Sequence, residues 1–413
     1  MNIGSKFTKL FFSGSLKMFL LIIFDVTQII PRYSRVRWSN CLTVLKEIKM
    51  SVKSITSPMK FLIQANLLAD LGKYIQQYGK NALIITDPFI QEKAQQDTQT
   101  SFAEHGIQAT FSVFGGECSD DEIDKNKAIC QEKSCEYVVG IGGGKTLDTA
   151  KAVAYYQNVP VVIFPTLAST DAPCTALTVV YNADGSFNRY LFLPNNPNAV
   201  LADTKLLAAE PARFFAAGVG DGLATYFEAR TCYATNGINL VLMQPSLAGL
   251  GIAKMCYETI RDFAPQAMHA VATKSVTPAL EKTIEATIYM SGVGAESGGL
   301  AAAHAIHNGM TAVHDLHGAM HGEKVAFGLV AQLVMEGAST EELDEVIGIM
   351  KAVGLPLTLK DLGLKEFKET EWRQVAELSC AEGETIHNEP FKVTPDMVYD
   401  AIVAADKLLQ TYQ

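Results

Sequence analysis

Four short, nearly all-apolar runs, at residues 82–86, 110–114, 137–141 and 161–164, recur between longer amphipathic stretches. Runs with no polar face must be covered on both sides, which is the condition of a parallel sheet flanked by helices. An amphipathic stretch over 65–78 leads into the first run, and Asp87-Pro88 closes it. Gly115 and Gly116 close the second; Ser119 with Glu122 then forms a capping box that opens a helix to about residue 133. A helix from about Thr146 separates the third run from the fourth. Asn182-Ala183-Asp184-Gly185, lying between 177–181 and 187–193, predicts a hairpin added to the sheet. After about Pro211 strand signals stop and capped helical patterns take over, at Thr277-Pro278, at Ser339 with Glu342 and at Thr394-Pro395. Gly354 before Pro356 ends one of them. The expected architecture is an α/β domain over residues 50–211 followed by an all-helical domain over 212–413. The cleft between them is the default place for chemistry.

Composition narrows the classes. The chain has 413 residues, 48% of them apolar and 19% charged, with a net charge of −10. That balance suits a folded protein and argues against nucleic acid or an anionic membrane as partner. Eight cysteines form no C-x-x-C pair and are too sparse for a disulfide scaffold, so reduced thiols in a cytoplasmic protein are expected. Residues 1–49 stand apart. They begin with three lysines before Met18, continue through the short apolar run 18–24, and break at Asp25. Seven apolar residues cannot cross a bilayer, which needs about 20. The segment reads as an extension or as a start placed upstream of Met50, with a targeting segment as the alternative.

Two local features carry chemistry. Gly140-Ile141-Gly142-Gly143-Gly144-Lys145-Thr146 follows a strand and opens a helix, which suits an anion such as a pyrophosphate. Val139 breaks a Walker A pattern and Lys145 breaks G-x-G-x-x-G, so neither common nucleotide motif is met; a plain tight turn is the alternative. Five of the eight histidines (His304, His307, His314, His317, His321) fall within 18 residues. Imidazoles at i and i+3 share a helix face, which makes metal ligation the favoured reading over buried core histidines. Asp221, in Gly218-Val219-Gly220-Asp221-Gly222 at an expected helix start, is a third ligand or merely a cap.

These blocks, together with Asp148-Thr149-Ala150-Lys151 and Ser169-Thr170-Asp171-Ala172-Pro173-Cys174, resemble the iron-containing alcohol dehydrogenase family. The similarity runs over about residues 51–413 and is strongest to its bacterial glycerol-oxidising members. It implies the dehydroquinate-synthase-like fold, an α/β dinucleotide-binding domain followed by an all-α domain. It implies Asp221, His304 and His321 as metal ligands, the two histidines and Asp171 also meeting substrate. Iron-using relatives place a further ligand histidine four residues after the aspartate, where this chain has Thr225; three ligands and an open position suit Zn²⁺. His307 and His317 match no ligand position; lining the cleft or orienting ligands is one reading and plain burial the other.

For NAD, the resemblance implies contacts from Gly144, Lys145, Thr146, Leu147 and Asp148 around the pyrophosphate and nicotinamide. Thr166, Leu167, Ala168 and Ser169 would lie on the adenine side, with further contacts from Thr175, Leu177 and Tyr181. Asp87 would accept from the adenosine ribose, preferring NAD to NADP. The implied reaction oxidises glycerol to dihydroxyacetone, or a related vicinal diol in the same way, with Asp171 catalytic and the protein a cytoplasmic homo-oligomer. Two enzymes of the same fold, a glycerol-1-phosphate dehydrogenase and a 3-dehydroquinate synthase, are the rivals, and both need phosphate-binding cations. A non-catalytic nucleotide- or metal-binding module is the alternative outside enzymes.

Overall fold

The structure, a computed structural model, describes residues 52–413. The expectations for residues 1–49 lie outside that range. Strand β1 (Lys53–Ser54) stands apart from the main sheet, whose strands are β2 (Phe61–Gln64), β3 (Asn81–Thr86), β4 (Gln108–Val113), β5 (Tyr137–Gly142), β6 (Val161–Pro165) and β9 (Ala199–Asp203). Their order is β2-β9-β6-β5-β3-β4 and every pair is parallel. Period-2 alternation splits each strand between two cores. Leu83, Ile85, Val138 and Ile163 face one side with Ile123 and Val153; Ala82, Ile84, Val139 and Val162 face the other with Leu71 and Phe102. Helices α1 (Leu71–Ile75) and α2 (Gln91–His105) cover the second side, α3 (Asp120–Glu132) and α4 (Gly144–Gln157) the first.

The topology also selects a site. From β3 the chain moves outward to β4, then returns past β3 to β5. Loops leaving the carboxyl ends of β3 and β5 therefore diverge and open a crevice there. Asp87 and the glycine loop sit at those two ends.

Three local expectations need correction. The hairpin of β7 (Leu177–Tyr181) and β8 (Phe187–Phe192) forms its own two-stranded antiparallel sheet. Helix α4 occupies the flank of β7: Asp148 accepts from the Val179 N–H at 3.0 Å, and Lys151 Nζ donates to the Leu177 carbonyl. The helix expected over 65–78 shrinks to α1 and a short 3₁₀ turn over Gln76–Tyr78. Asp203 accepts from the N–H groups of Asn66 and Leu68, fixing a turn with Asn66 at φ 65°. Strands β2 and β9 add to the four expected. β9 is alanine-rich and weak in strand propensity, and only its burial between β2 and β6 makes it a strand.

Beyond β9 the fold is helical: α5 (Thr204–Leu207), α6 (Ala212–Ala234), α7 (Leu247–Ala272), α8 (Pro278–Ile284), a π-helical turn Glu285–Met290, α9 (Ser291–Gly298), α10 (Ala302–Met310), α11 (His321–Glu336), α12 (Thr340–Val353), α13 (Glu369–Ser379) and α14 (Pro395–Gln410). A two-residue strand, β10 (Gln244–Pro245), pairs with β1. Thr277, Ser339 and Thr394 cap their helices as expected, and Gly354 ends α12 in the left-handed conformation. Asp221 is the tenth residue of the 23-residue α6, not at a helix start, so it caps nothing.

Glycines let α11 lie directly on α6. A Cβ at Gly322 would stand 1.8 Å from the Ala217 carbonyl oxygen, and one at Gly220 would stand 2.5 Å from the Gly322 oxygen. Gly328 meets the Ala303 carbonyl of α10 in the same way, at 2.4 Å. Gly322→Ala must force the two backbones apart and is expected to cost about 3 kcal/mol, read as a lower Tm in thermal unfolding. An unchanged Tm would mean the helices can separate without loss.

Candidate active site

Three helices converge through this contact. Asp221 on α6 is buried, and Gly322 pressed against α6 sets His321, the first residue of α11, beside it. Asp221 Oδ1 lies 3.1 Å from His321 Nε2 and 3.4 Å from His304 Nε2. Among the described residues, these three form the one group of His, Cys, Asp or Glu whose ligand atoms fall within 4.8 Å of one another.

The donor pattern fits a cation. Glu228 Oε2 sits 2.5 Å from His304 Nδ1 and places the proton there, so His304 turns a lone pair on Nε2 toward Asp221. Asp221 Oδ1 is buried with no hydrogen-bond partner, a costly state that a divalent ion would relieve. Without a cation, burial lowers the His304 pKa, but Glu228 and Asp221 outweigh it and raise it well above its ordinary value. Burial likewise pushes Asp221 up, while His321 and His304 hold it below the usual carboxylate range.

Asp171 reaches the same point. Its backbone N–H donates to Asp221 Oδ2 at 3.2 Å, and its carboxylate accepts from Ser291 Oγ at 3.0 Å. The Ser291 proton is thereby used, so Thr225 donates to Ser291 across 2.8 Å. Burial and the charge on Asp221 push the Asp171 pKa up. His307 packs on His321 with ring centroids 4.3 Å apart, and burial followed by His321 holds its pKa far below the ordinary value. His317 is exposed and bonded to the Thr311 carbonyl, and its ring stacks near His314, apart from these three.

The residues expected around a dinucleotide divide. Gly144 opens α4, a Cβ there would meet nothing within 4 Å, and the first amides of a helix lack internal partners, so the loop offers an anion cradle. Asp87 is committed inside this loop: its carboxylate accepts from Gly143 N–H at 2.7 Å and from the Thr146 hydroxyl. A ribose would have to share those oxygens. Lys145 pairs with Glu117 at 2.5 Å and lies over the Tyr181 ring. Leu147 and Ala168 are core residues, and Asp148 pairs with the fully buried Lys151 at 2.8 Å. Thr166 N–H donates to the Gly142 carbonyl, and its hydroxyl is buried without a partner. Leu167 touches the loop: a Cβ on Gly143 would lie 3.6 Å from it. Ser169 abuts Gly218 of α6, Thr175 bonds the Ala172 carbonyl, and Leu177 receives Lys151.

Glu228 escaped the sequence reading. Its signal was its place seven residues after Asp221, two turns on along the same face of α6. It accepts from the N–H groups of Ala301 and His304, while Glu389 accepts from Ala302 and Gln332 from Ala303. Three buried side chains thus cap the helix that carries His304.

A family model described as iron-containing alcohol dehydrogenase matches residues 58–204. The chain is 50% identical to the glycerol dehydrogenase of Escherichia coli O6:H1 over 358 residues, 87% of this chain and 98% of that protein. It is 46% identical to the glycerol dehydrogenase of Thermotoga maritima over 351 residues, 85% and 96% respectively. The crystal structure of glycerol dehydrogenase from Schizosaccharomyces pombe superposes with a TM-score of 0.84 at 37% identity, covering 88% of this chain and 92% of that one. The chain belongs to the iron-containing alcohol dehydrogenase family. Among its described residues, no helix is long and apolar enough to cross a membrane.

Burial and then the neighbouring Glu336 push the Glu389 pKa up to about 9. The unfolded chain ionises near the ordinary 4.5, so the parent loses stability as pH rises from there to about 9. Glu389→Gln stays neutral throughout. Its Tm is expected to exceed the parent's by a margin that widens across that window and then levels; a margin independent of pH would contradict the shift.

Proposed function

We propose that this chain is an NAD⁺-dependent glycerol dehydrogenase, oxidising glycerol to dihydroxyacetone and related vicinal diols to the corresponding hydroxyketones, with a zinc ion at Asp221, His304 and His321. The observation that carries the reading is the buried, unpartnered Asp221 oxygen facing two imidazole nitrogens. Relatives named glycerol dehydrogenase at 45–50% identity support the substrate. A divalent cation there supplies Lewis acidity that eases ionisation of a substrate hydroxyl, and NAD⁺ supplies the hydride acceptor.

The chain's own residues do the rest. Asp221, fixed by the Asp171 N–H, and His304, fixed by Glu228, hold the ion. Asp171, braced by Ser291, accepts a hydrogen bond from a polyol hydroxyl and orients the carbon that loses hydride. Residues 50–211 supply the dinucleotide cradle and 212–413 the metal ligands, with Asp171 reaching across. Thr225 is occupied with Ser291, which favours a three-ligand zinc site over a four-ligand iron site. Lys145 and Lys151 are paired with acids, and Asp171 and Asp221 repel anions, so the phosphorylated substrates of the rival enzymes fit poorly. Free cysteines are in keeping with a cytoplasmic location, and the family with a homo-oligomer.

NAD⁺ reduction by glycerol is expected to stop on chelation and return with Zn²⁺. Return with Fe²⁺ alone would overturn the zinc assignment, and activity untouched by chelation the metal itself. Asp171→Asn should lower kcat/KM for glycerol about 100-fold while leaving NADH binding unchanged, measured by initial rates and fluorescence titration.

A further inference from the structure

His321 is tied down on the side away from Asp221. Its Nδ1 lies 3.1 Å from His307 Nε2, His307 Nδ1 lies 3.1 Å from Asn308 Oδ1, and Asn308 Nδ2 lies 3.1 Å from Glu384 Oε2. The direction of each link follows from what each group can do. A carboxylate only accepts, so Asn308 points its NH₂ at Glu384 and its carbonyl oxygen at His307. His307 therefore carries its proton on Nδ1. It is 8% exposed with no carboxylate bonded to it, so it stays neutral and offers a lone pair on Nε2. His321 must then donate from Nδ1, which leaves its Nε2 lone pair aimed at Asp221 Oδ1.

We infer that Glu384, acting through Asn308 and His307, locks His321 in the tautomer able to bind the metal and is a positioning residue for that site. The inference rests on the metal reading above. The two imidazoles are thus set by different devices. A carboxylate touches His304 directly, whereas two groups in series, His307 and Asn308, separate His321 from its carboxylate. Reversing the polarity at Glu384 would turn over every bond in the series and put the His321 proton on the nitrogen that faces Asp221.

The test uses the metal-stripped full chain and its Zn²⁺ affinity, measured by competition with a chromogenic chelator. Glu384→Gln and Glu384→Leu remove the same charge, but only glutamine still presents an oxygen to Asn308. Glu384→Gln is expected to bind within about twofold of the parent and Glu384→Leu about tenfold more weakly. Equal weakening of both would assign the effect to charge and overturn the tautomer lock, as would no weakening of either. If Glu384→Leu does not fold, His307→Gln and His307→Leu decide it. The glutamine oxygen accepts from His321 Nδ1 and should preserve affinity, the leucine should lose it, and equal affinities overturn the inference. A parent chain that binds Zn²⁺ no better than Asp221→Asn would defeat the metal reading itself, and this inference with it.

Discussion

The site depends on two helix backbones being allowed to touch. With side chains at positions 220 and 322, α6 and α11 would stand apart by the width of those groups, as ordinary packed helices do, at 8–10 Å between axes. Removing both Cβ atoms brings a first-turn residue of one helix to a mid-helix residue of the other. His321 needs no long or mobile side chain to reach Asp221, because the main chain delivers it. The precision of the site is thus set by backbone contact, which is stiffer than any arrangement of rotamers.

That stiffness concentrates acids. Asp221, Glu228 and Glu389 are buried and Asp171 half-buried within or just behind the site, and among the described residues no lysine or arginine pairs with them. Each has a defined use: Asp221 faces the imidazoles, Glu228 orients His304, Glu389 caps α10, and Asp171 closes the opposite wall. Backbone amides reach one oxygen each of Asp221, Glu228 and Glu389; the second oxygens of Asp221 and Glu389 are buried without a partner, and the one on Asp221 faces the imidazoles, where a cation would relieve it.

Much of this could be seen in the sequence because it obeys short-range rules. The four apolar runs, the capping residues Ser119, Thr277, Ser339 and Thr394, and the glycine loop each declare themselves within a few residues. The histidine cluster pointed to the right segment, yet spacing alone did not separate His304, His307 and His321 from His314 and His317. A 3₁₀ turn over His314–Gly318 puts the last pair on the surface, and turns of that kind leave no periodic trace. Glu228 and Ser291 were missed for another reason: beyond the spacing of Glu228 from Asp221, their roles depend on contacts with residues dozens of positions away. Strands β2 and β9 are made by their neighbours more than by their own composition, and the separate hairpin by a helix side chain that outcompetes a strand.

The contact between Ala168 and Gly218 constrains how such a protein can change. A Cβ on Gly218 would lie 1.7 Å from the Ala168 carbonyl oxygen, so the loop after β6 rests on the helix that carries Asp221, three residues from it. Any insertion or bulkier turn in that loop would be transmitted as a displacement of the carboxylate. Selection on the loop for a different nucleotide and selection on α6 for a different ion cannot proceed independently. Variation in such a lineage is expected to collect at positions remote from this contact, with the residues on both sides of it inherited as a block.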